Sequence, residues 1–316
     1  MESIINVGNV PVKGIALGSG NMGEEGSDKA RFEIMDKFAE LGGVCFDTAR
    51  LYAGGKADTS LGKWLRGFGN REAVVIVAKG CHPNRDTMHE HRLTREDVIG
   101  DLETSLKELQ TDYADMYLLH RDFPKLPVCG IIDALDELVK SGKTKEVGVS
   151  NWTVGRIAEA NEYAQKAGKA KLSVCQLHFS LGVTSPAQTL DVTHIPMNPY
   201  EFAWYKETGF PVMSFGTQGR GFFNRYALGL EQKPGSLQYY GHYPENFRRA
   251  ERVKKLSEEL GLPIAALLTA YVRDCGLNTI PLVAVSSIAQ LEEVWRANDV
   301  KLSREQIGFL ETGTRY

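Results

Sequence analysis

The sequence lacks the features that would indicate a membrane protein or a disulfide-stabilised one. Its apolar runs are too short to span a bilayer. The N-terminus, MESIINVGNV, has no basic stretch followed by an apolar one, which disfavours a secretory signal. The five cysteines are an odd number and have no CxxC spacing, so they indicate reduced thiols rather than a disulfide framework or a zinc site. These absences predict a cytoplasmic protein without a membrane partner.

Neither sign of charge is in large excess. The chain has 37 Lys and Arg against 40 Asp and Glu, a net charge of -3, and no basic stripe, which argues against a nucleic-acid partner. The 316 residues are 42% hydrophobic, which is ordinary for a globular protein, and no linker or low-complexity stretch interrupts them. We therefore predict a single domain over residues 1–316 that acts on a small molecule.

The sequence does contain a repeated alternation of short apolar runs and amphipathic helical patterns. Residues 29–43 and 94–110 have apolar side chains at helical spacing, and the second stretch starts with Thr94 and Asp97 at capping-box positions. Runs buried on both faces and separated by helices indicate a parallel sheet with helical crossovers. Eight such units favour an α/β fold of the closed (β/α)8, or TIM, barrel type. The runs are 14–18, 44–47, 74–79, 115–120, 146–151, 172–177, 211–215 and 278–283.

Three further stretches complete the predicted architecture. The segment SIINVGNVPVKG predicts a β-hairpin that turns at Gly8 and Asn9 and caps the bottom of the barrel. Residues 182–200 and 216–245 each follow a predicted strand, so we expect long loops at the C-terminal face, where barrel enzymes build their active sites.

A doubly wound dinucleotide-binding fold is the alternative architecture. GSGNMG, residues 18–23, matches the G-x-G-x-x-G pattern of that fold. The pattern usually comes with an acidic residue at the end of a second strand about 20 residues later. Here the next predicted strand ends at Asp47, further along the chain, so the alternative is disfavoured.

Charged side chains end three successive apolar runs. Asp47, Lys79 and His120 stand at these ends, and Tyr52 lies on the turn after Asp47. Taken alone, each of the three has an ordinary explanation: Asp47 as a helix cap, Lys79 as a surface lysine and His120 as a satisfied buried histidine. The C-terminal ends of barrel strands meet at one mouth, so we expect the side chains to converge there.

Such a set of residues suits the reduction of a carbonyl group by hydride. A phenol is a proton donor at neutral pH, and a nearby ammonium lowers its pKa while an aspartate holds the ammonium in place. Tyr52 can then protonate a carbonyl oxygen that the imidazole orients. Ser150, Asn151 and Gln176 suit the carboxamide of a nicotinamide ring, and Phe215 suits its face. Alternatively, Ser150 and Asn151 cap the helix that follows.

Five blocks of the chain, in order, resemble the aldo-keto reductase family. FDTARLY resembles the D-T-A-x-x-Y block of that family, and LGKWLRG resembles the helix after it. DYADMYLLHRD resembles the strand with the family's histidine, KEVGVSNW the G-x-S-N strand, and IPLVAVSSIAQLEE the C-terminal cofactor segment. The resemblance implies an NAD(P)H-dependent reductase of an aldehyde or ketone. Separately, the mixture of aromatic residues with Asn, Thr and His around the expected pocket suggests a polar substrate of modest size, such as a sugar aldehyde or a small hydroxy-aldehyde. The implied catalytic residues are Asp47, Tyr52 as proton donor, Lys79 and His120.

The resemblance also implies a cofactor site for NADPH, with NADH as the alternative. The implied cofactor-binding residues are Gly20, Asn21, Asp47, Ser150, Asn151, Gln176, Phe215, Gly216, Gln218, Arg220, Ser286, Ser287, Gln290 and Glu293. The family usually has Lys or Arg near the cofactor phosphates, whereas this chain has serines at 286 and 287 and Gln290 in place of a common Arg. Serine does not neutralise a phosphate, so we expect a weakened preference for NADPH unless Arg220 or Arg225 supplies the charge.

The remaining assignments concern the substrate and the rival functions. The predicted substrate contacts are Met22, Tyr52, His82, His120 and Trp152, and core packing is the alternative for Trp152. A metal site at His82, His89 and His91 is disfavoured because no acid or cysteine stands at zinc-site spacing, and no metal is expected. Two rival functions remain: a barrel aldolase that forms a Schiff base through Lys79, and a non-catalytic cofactor-binding regulatory module.

Overall fold

The computed structural model describes residues 4–20, 22 and 28–315. Within them the strands are β1 Ile4–Val7, β2 Val10–Lys13, β3 Ala16–Gly18, β4 Cys45–Asp47, β5 Val75–Gly80, β6 Ala114–Leu119, β7 Thr144–Ser150, β8 Leu172–His178, β9 Val212–Phe215 and β10 Thr279–Val283. The helices are α1 Asp28–Glu40, α2 Lys56–Phe68, α3 Arg95–Leu109, α4 Val128–Lys140, α5 Val154–Ala167, α6 Pro199–Thr208, α7 Phe222–Ala227, α8 Pro234–Tyr240, α9 Pro244–Leu260, α10 Ile264–Asp274, α11 Ile288–Trp295 and α12 Arg304–Thr312.

Eight of the strands form a closed parallel barrel. Their order is β10-β3-β4-β5-β6-β7-β8-β9, and each of the eight predicted apolar runs overlaps one of them. The (β/α)8 barrel prediction is therefore confirmed, and the doubly wound alternative is wrong. The apolar runs lack alternation because both faces of a barrel strand are covered. In β6, for example, all six residues are buried.

The N-terminal hairpin is present as predicted. β1 and β2 pair antiparallel, with Val7 opposite Val10 across the turn. Gly8 adopts a positive φ of 54°, which glycine accepts at little cost. The backbone N–H of Asn9 donates to Glu146 Oε1 at 2.8 Å. Glu146 lies near the beginning of β7, so the hairpin turn is attached at the N-terminal end of that strand.

The first two predicted helices form close to the predicted bounds. α3 has the complete capping box, since Thr94 Oγ1 accepts from the Asp97 N–H while an Asp97 carboxylate oxygen accepts from the Thr94 N–H. α1 ends at Glu40, and Gly42 follows with a φ of 95°. These short-range signals could be read from the sequence because the groups that satisfy each other are three residues apart.

By their contacts, the residues fall into two compact units, 4–176 and 177–315. The first unit carries β1 to β7, most of β8, and α1 to α5. The second carries β9, β10 and α6 to α12, and α10 buries eight consecutive residues in it. The prediction of one domain over residues 1–316 stays a prediction.

The two predicted long loops contain more regular structure than the sequence suggested. Residues 216–245 include α7 and α8 and the start of α9. Proline at the first turn begins α8, where its missing N–H has no helical acceptor. The aromatic side chains of this stretch form buried packing surfaces rather than lining an open loop, as Phe222 and Tyr240 show by their complete burial. No helix of the described residues is long and apolar enough to cross a membrane.

Candidate active site

A buried ion pair lies at the ends of β4 and β5. Lys79 Nζ is 2.5 Å from Asp47 Oδ1, and the two side chains are 0% and 1% exposed. Gln176 Nε2, from β8, donates to the same carboxylate oxygen at 2.7 Å. Removing two charges from water costs several kcal/mol, which only close pairing and additional hydrogen bonds offset. Three strand ends therefore converge on the Asp47 carboxylate.

Tyr52 follows this pair on a short turn. The backbone N–H of Arg50 donates to the Lys79 carbonyl at 2.8 Å, which ties the chain after β4 to the end of β5. The helical turn Tyr52–Gly55 then includes Ala53 at a φ of 49°, an uncommon conformation for a residue with a Cβ. Lys79 Nζ lies 5.0 Å from the centroid of the Tyr52 ring, and its positive charge acts to lower the pKa of the phenol.

The pKa values of Tyr52 and Lys79 are both shifted upward. Burial raises the pKa of Tyr52, and although the Lys79 ammonium acts in the opposite direction, the net pKa stays above the ordinary 10.0. The ammonium acts on the phenol pKa in the direction that the sequence analysis expected, but burial outweighs it. Burial opposes the charge of Lys79, but Asp47 and the Tyr52 hydroxyl raise its pKa above the ordinary 10.5. At neutral pH the phenol keeps its proton and the lysine keeps its charge.

His120 stands at the end of β6, beside the phenol. Its backbone N–H donates to the Gly80 carbonyl at 2.8 Å, and its ring meets the Tyr52 ring edge-on at 5.9 Å between centroids. The His82 ring is also edge-on to it, at 5.0 Å. His82 Nδ1 is 2.7 Å from the Pro83 carbonyl oxygen, which can only accept, so Nδ1 carries a proton.

Arg121 is a residue of this site that the sequence analysis missed. Its side chain is 5% exposed, and Nη1 donates to the His120 carbonyl at 2.6 Å. The guanidinium also acts to lower the pKa of Tyr52, although less than burial raises it. The available signal was a cation directly after a histidine at the end of a buried strand, a place where an unpaired charge is costly.

The three predicted amide and hydroxyl side chains lie together at the ends of β7 and β8. Ser150 pairs with Gln176 in the strand register, and the Asn151 N–H donates to the Gln176 carbonyl at 3.0 Å. Asn151 Nδ2 donates to Ser150 Oγ at 2.9 Å. The alternative that Ser150 and Asn151 cap the next helix is wrong, because Thr153 is the N-cap of α5.

The segment after β3 contributes a further polar atom. The Ser19 N–H donates to the Asp47 carbonyl at 2.8 Å. Its hydroxyl is buried and has no hydrogen-bond partner among the residues that the structure describes. Gly20 is exposed, and Met22 is buried with its N–H donating to the Ser19 carbonyl. The predicted residue Asn21 lies outside the described residues.

In the second unit, Phe215 ends β9 and is partly exposed. Its ring is edge-on to His178, with 5.5 Å between centroids. Gly216 has a φ of 80°, and a Cβ there would lie only 2.6 Å from His178 Nε2, so this turn requires glycine. Arg220 is exposed and places its guanidinium 4.7 Å from the centroid of the Tyr239 ring.

The predicted C-terminal cofactor segment forms the start of a helix and carries no cation there. Ser287 caps α11 by accepting from the Gln290 N–H at 3.2 Å, while Gln290 Oε1 accepts from the Ser286 N–H at 2.8 Å. Glu293 is exposed, and Gln218 elsewhere in this unit is partly exposed. The side chain that replaces the family's common Arg is thus engaged in the helix cap.

The remaining predicted residues have varied surroundings. Trp152 is completely buried, the Arg156 guanidinium lies 5.2 Å from its ring, and its Nε1 has no hydrogen-bond partner within the described part of the chain. Its role as a substrate contact stays a prediction. His89 is exposed beside Glu90, and the His91 ring packs on Phe123.

Comparisons with known proteins agree with this fold. The sequence profile of the Aldo/keto reductase family matches residues 14–312. The putative aryl-alcohol dehydrogenase AAD14 of Saccharomyces cerevisiae is 29% identical, covering 98% of this chain and 83% of its own. The norsolorinic acid reductase stcV of Emericella nidulans is 27% identical, covering 89% of this chain and 70% of its own.

Solved structures show the same fold. An aldo/keto reductase from Klebsiella pneumoniae, in complex with NADP and acetate, has a TM-score of 0.71 at 23% identity and covers 97% of this chain and 93% of its own. A thermostable aldo-keto reductase in complex with the inhibitor epalrestat has a TM-score of 0.77 at 20% identity and covers 99% of both chains. With a family profile that spans nearly the whole chain, this protein belongs to the aldo/keto reductase family, whose members are NAD(P)-dependent oxidoreductases.

Proposed function

We propose that this protein reduces an aldehyde or a ketone with NADPH as hydride donor and Tyr52 as proton donor. The observation that carries the proposal is the buried arrangement in which Asp47 holds Lys79 and the Lys79 ammonium lies 5.0 Å from the centroid of the Tyr52 ring. A lone buried lysine would be costly, so a pair that points at a phenol has a use beyond packing. The Klebsiella pneumoniae reductases that share the fold were solved with NADP or NADPH, which supports the choice of cofactor.

The residues present in the first unit fit a nicotinamide cofactor. Ser150, Asn151 and Gln176 bring amide and hydroxyl groups together in a buried place, which suits the carboxamide of the ring. Ser19 adds a buried hydroxyl without a hydrogen-bond partner among the described residues, next to Asp47 in the backbone network. When bound, the cofactor supplies the hydride.

The side chains of the chain itself manage the proton. Tyr52 transfers its hydroxyl proton to the carbonyl oxygen of the substrate, and the negative charge left on the phenol oxygen is stabilised by the Lys79 ammonium. Asp47 keeps that ammonium charged and in place. His120, beside the phenol, orients the carbonyl oxygen by a hydrogen bond.

The two rival functions fit these contacts less well. A Schiff base requires an uncharged lysine amine, whereas Asp47 raises the pKa of Lys79 and keeps it protonated. A non-catalytic cofactor-binding module would not need the phenol, the ion pair and the imidazole at one place. The physiological substrate is proposed only as a polar carbonyl compound, such as a sugar aldehyde or a small hydroxy-aldehyde.

The test is the turnover of benzaldehyde and of glyceraldehyde with NADPH, followed by the absorbance of the reduced cofactor. Tyr52→Phe should lower kcat by about 100-fold or more, because it removes the proton donor while leaving the ring. Tyr200→Phe is the matched control, since Tyr200 is 74% exposed. If Tyr52→Phe turns over at the wild-type rate, the assignment of the acid is wrong. Trapping of Lys79 by borohydride in the presence of substrate would instead support the aldolase.

A further inference from the structure

The first unit contains a cavity of about 430 Å³, and part of the candidate active site lines it. Lys79 and His120 line it, and so do three arginines, Arg50, Arg85 and Arg92. A molecule that occupies this cavity therefore contacts Lys79 and His120 of the candidate active site and a cationic wall as well. The cavity is of the size that small-molecule sites usually have.

The wall that carries Arg85 and Arg92 begins with a strained turn. Cys81 has a φ of 63°, which is uncommon for a residue other than glycine. The preceding Gly80 has no room for a Cβ because the Tyr117 hydroxyl occupies that space. The Cys81 N–H donates to Asp101 Oδ2 at 2.7 Å, which holds the turn. Backbone strain of this kind persists where the surrounding contacts enforce it, and it clusters at functional sites.

The same aspartate holds one of the cations. Arg92 Nη2 donates to Asp101 Oδ1 at 2.7 Å, and Arg92 Nε is 3.5 Å from Asp97. Arg92 Nη1 is 3.4 Å from the His82 carbonyl oxygen, a weak hydrogen bond. The charge of the Asp101 carboxylate is therefore offset by Arg92, and each of its oxygens accepts from a protein donor.

Arg85 differs from the other cations of the cavity. Asp47 pairs with Lys79, and Glu108 pairs with Arg50 at 2.9 Å. Arg85 is exposed and has no carboxylate partner among the residues that the structure describes. The positive charge of Arg85 is therefore uncompensated, and its guanidinium is open for a planar, two-pronged contact with an anion.

We propose that this cavity is a subsite for an anionic group on the carbonyl substrate, a carboxylate or a phosphate, held by Arg85 with Arg92 beside it. The inference rests on the proposed reduction of a carbonyl, and it narrows the substrate class to aldehydes or ketones with a negatively charged oxygen group at the far end. The loop from Cys81 to Arg92 sets the distance between that group and the reacting carbonyl.

The experiment measures kcat/KM for two matched pairs of aldehydes with NADPH. One pair is para-carboxybenzaldehyde and para-carbamoylbenzaldehyde, and the other is glyceraldehyde phosphate and glyceraldehyde. The first pair tests a carboxylate as the anionic group, and the second tests a phosphate. Arg85→Ala should lower kcat/KM for the anionic member by about tenfold, mainly through KM, and change the neutral member by less than twofold. Arg85→Lys should retain part of the preference and Arg85→Glu should abolish it.

Arg66→Ala is the matched control, because Arg66 is an exposed arginine that does not line the cavity. Arg66→Ala should leave kcat/KM unchanged for both aldehydes of each pair. This result separates recognition by Arg85 from an effect of the net charge of the protein. Equal kcat/KM within both pairs for the wild type, or an equal loss for both members in Arg85→Ala, overturns the subsite. Failure of the proposed function is a different result, in which no aldehyde of either pair is reduced, or Tyr52→Phe reduces them as fast as the wild type.

Discussion

Lys79 and Asp47 form an ion pair that is closed to solvent, with 2.5 Å between Nζ and Oδ1, although 32 positions separate them in the chain. They are joined because β4 and β5 are parallel neighbours whose C-terminal ends leave the barrel side by side. Gln176 completes the coordination of the same oxygen from β8. The order of the strands in the barrel therefore brings the two charges together, and their proposed role in proton transfer depends on Tyr52, which lies next to them.

Replacing one partner of this pair should damage stability as well as activity. Lys79→Met leaves the Asp47 carboxylate buried, with Gln176 as its one side-chain donor among the described residues, so we expect the free energy of unfolding to fall by about 3 kcal/mol or more. Reduction of aldehydes should fall by about 100-fold or more, since the phenol loses the cation that stabilises its charged form. Urea unfolding and steady-state kinetics measure the two effects.

The double variant Asp47→Asn with Lys79→Met separates the two effects. Removing both charges should recover most of the lost stability, because no uncompensated charge remains buried, while activity stays low. Activity recovered together with stability would contradict the proposed role of Lys79.

The pH dependence of reduction should reflect the raised pKa of Tyr52. Burial holds that pKa above the ordinary 10.0, so the proton-donating form persists through neutral and mildly alkaline pH. We expect kcat/KM for a neutral aldehyde to stay level between about pH 7 and 10 and to fall only above that range. A decline that begins near pH 8 or below would contradict this expectation.

His178 should make the protein less stable in acid. Burial, helped by the charges of His194 and Arg220, lowers the pKa of His178 from 6.5 to about 3. Between these two values the unfolded chain binds the proton and the folded protein does not, so the stability linked to this group is complete above 6.5 and is lost as the pH falls.

The measurement is the free energy of unfolding at about pH 7 and 5 for three proteins. His178→Gln should lose about 2 kcal/mol less than the wild type on this change of pH. His242→Gln, at an exposed histidine, is the control and should follow the wild type. If His178→Gln and the wild type lose the same amount, His178 titrates near its ordinary pKa in the folded protein.

The cofactor preference should respond to a cation at the start of α11. Gln290→Arg places a guanidinium where this chain has a helix-capping amide, and it should raise the ratio of kcat/KM for NADPH over NADH by about tenfold. Gln306→Arg is a close control, since Gln306 accepts from the Ser303 N–H at the start of α12 in the same way. Both variants lose a cap, but only the first should change the ratio. A wild-type preference for NADPH above about a hundredfold would contradict the weakened preference.

Short-range patterns made the secondary structure readable. The eight apolar runs and the capping box at Thr94 depend on neighbours within a few residues, and all of them formed. The stretch 216–245 was harder to predict because its aromatic side chains belong to buried surfaces, and burial depends on partners that lie elsewhere in the chain. A run of glycines and aromatics has no period that would distinguish two short helices from a loop.

The sequence by itself determined which residue types stand at the ends of the strands, and so which chemistry this protein is equipped for. Only the tertiary structure decided how those groups affect each other. It put the net pKa of Tyr52 above that of free tyrosine, because burial outweighs the neighbouring ammonium. It also showed that Arg92 is held by Asp101 while Arg85 has no such partner among the described residues. Burial and ion pairing depend on which groups are neighbours in the folded protein, and the separation of two residues along the chain does not specify this.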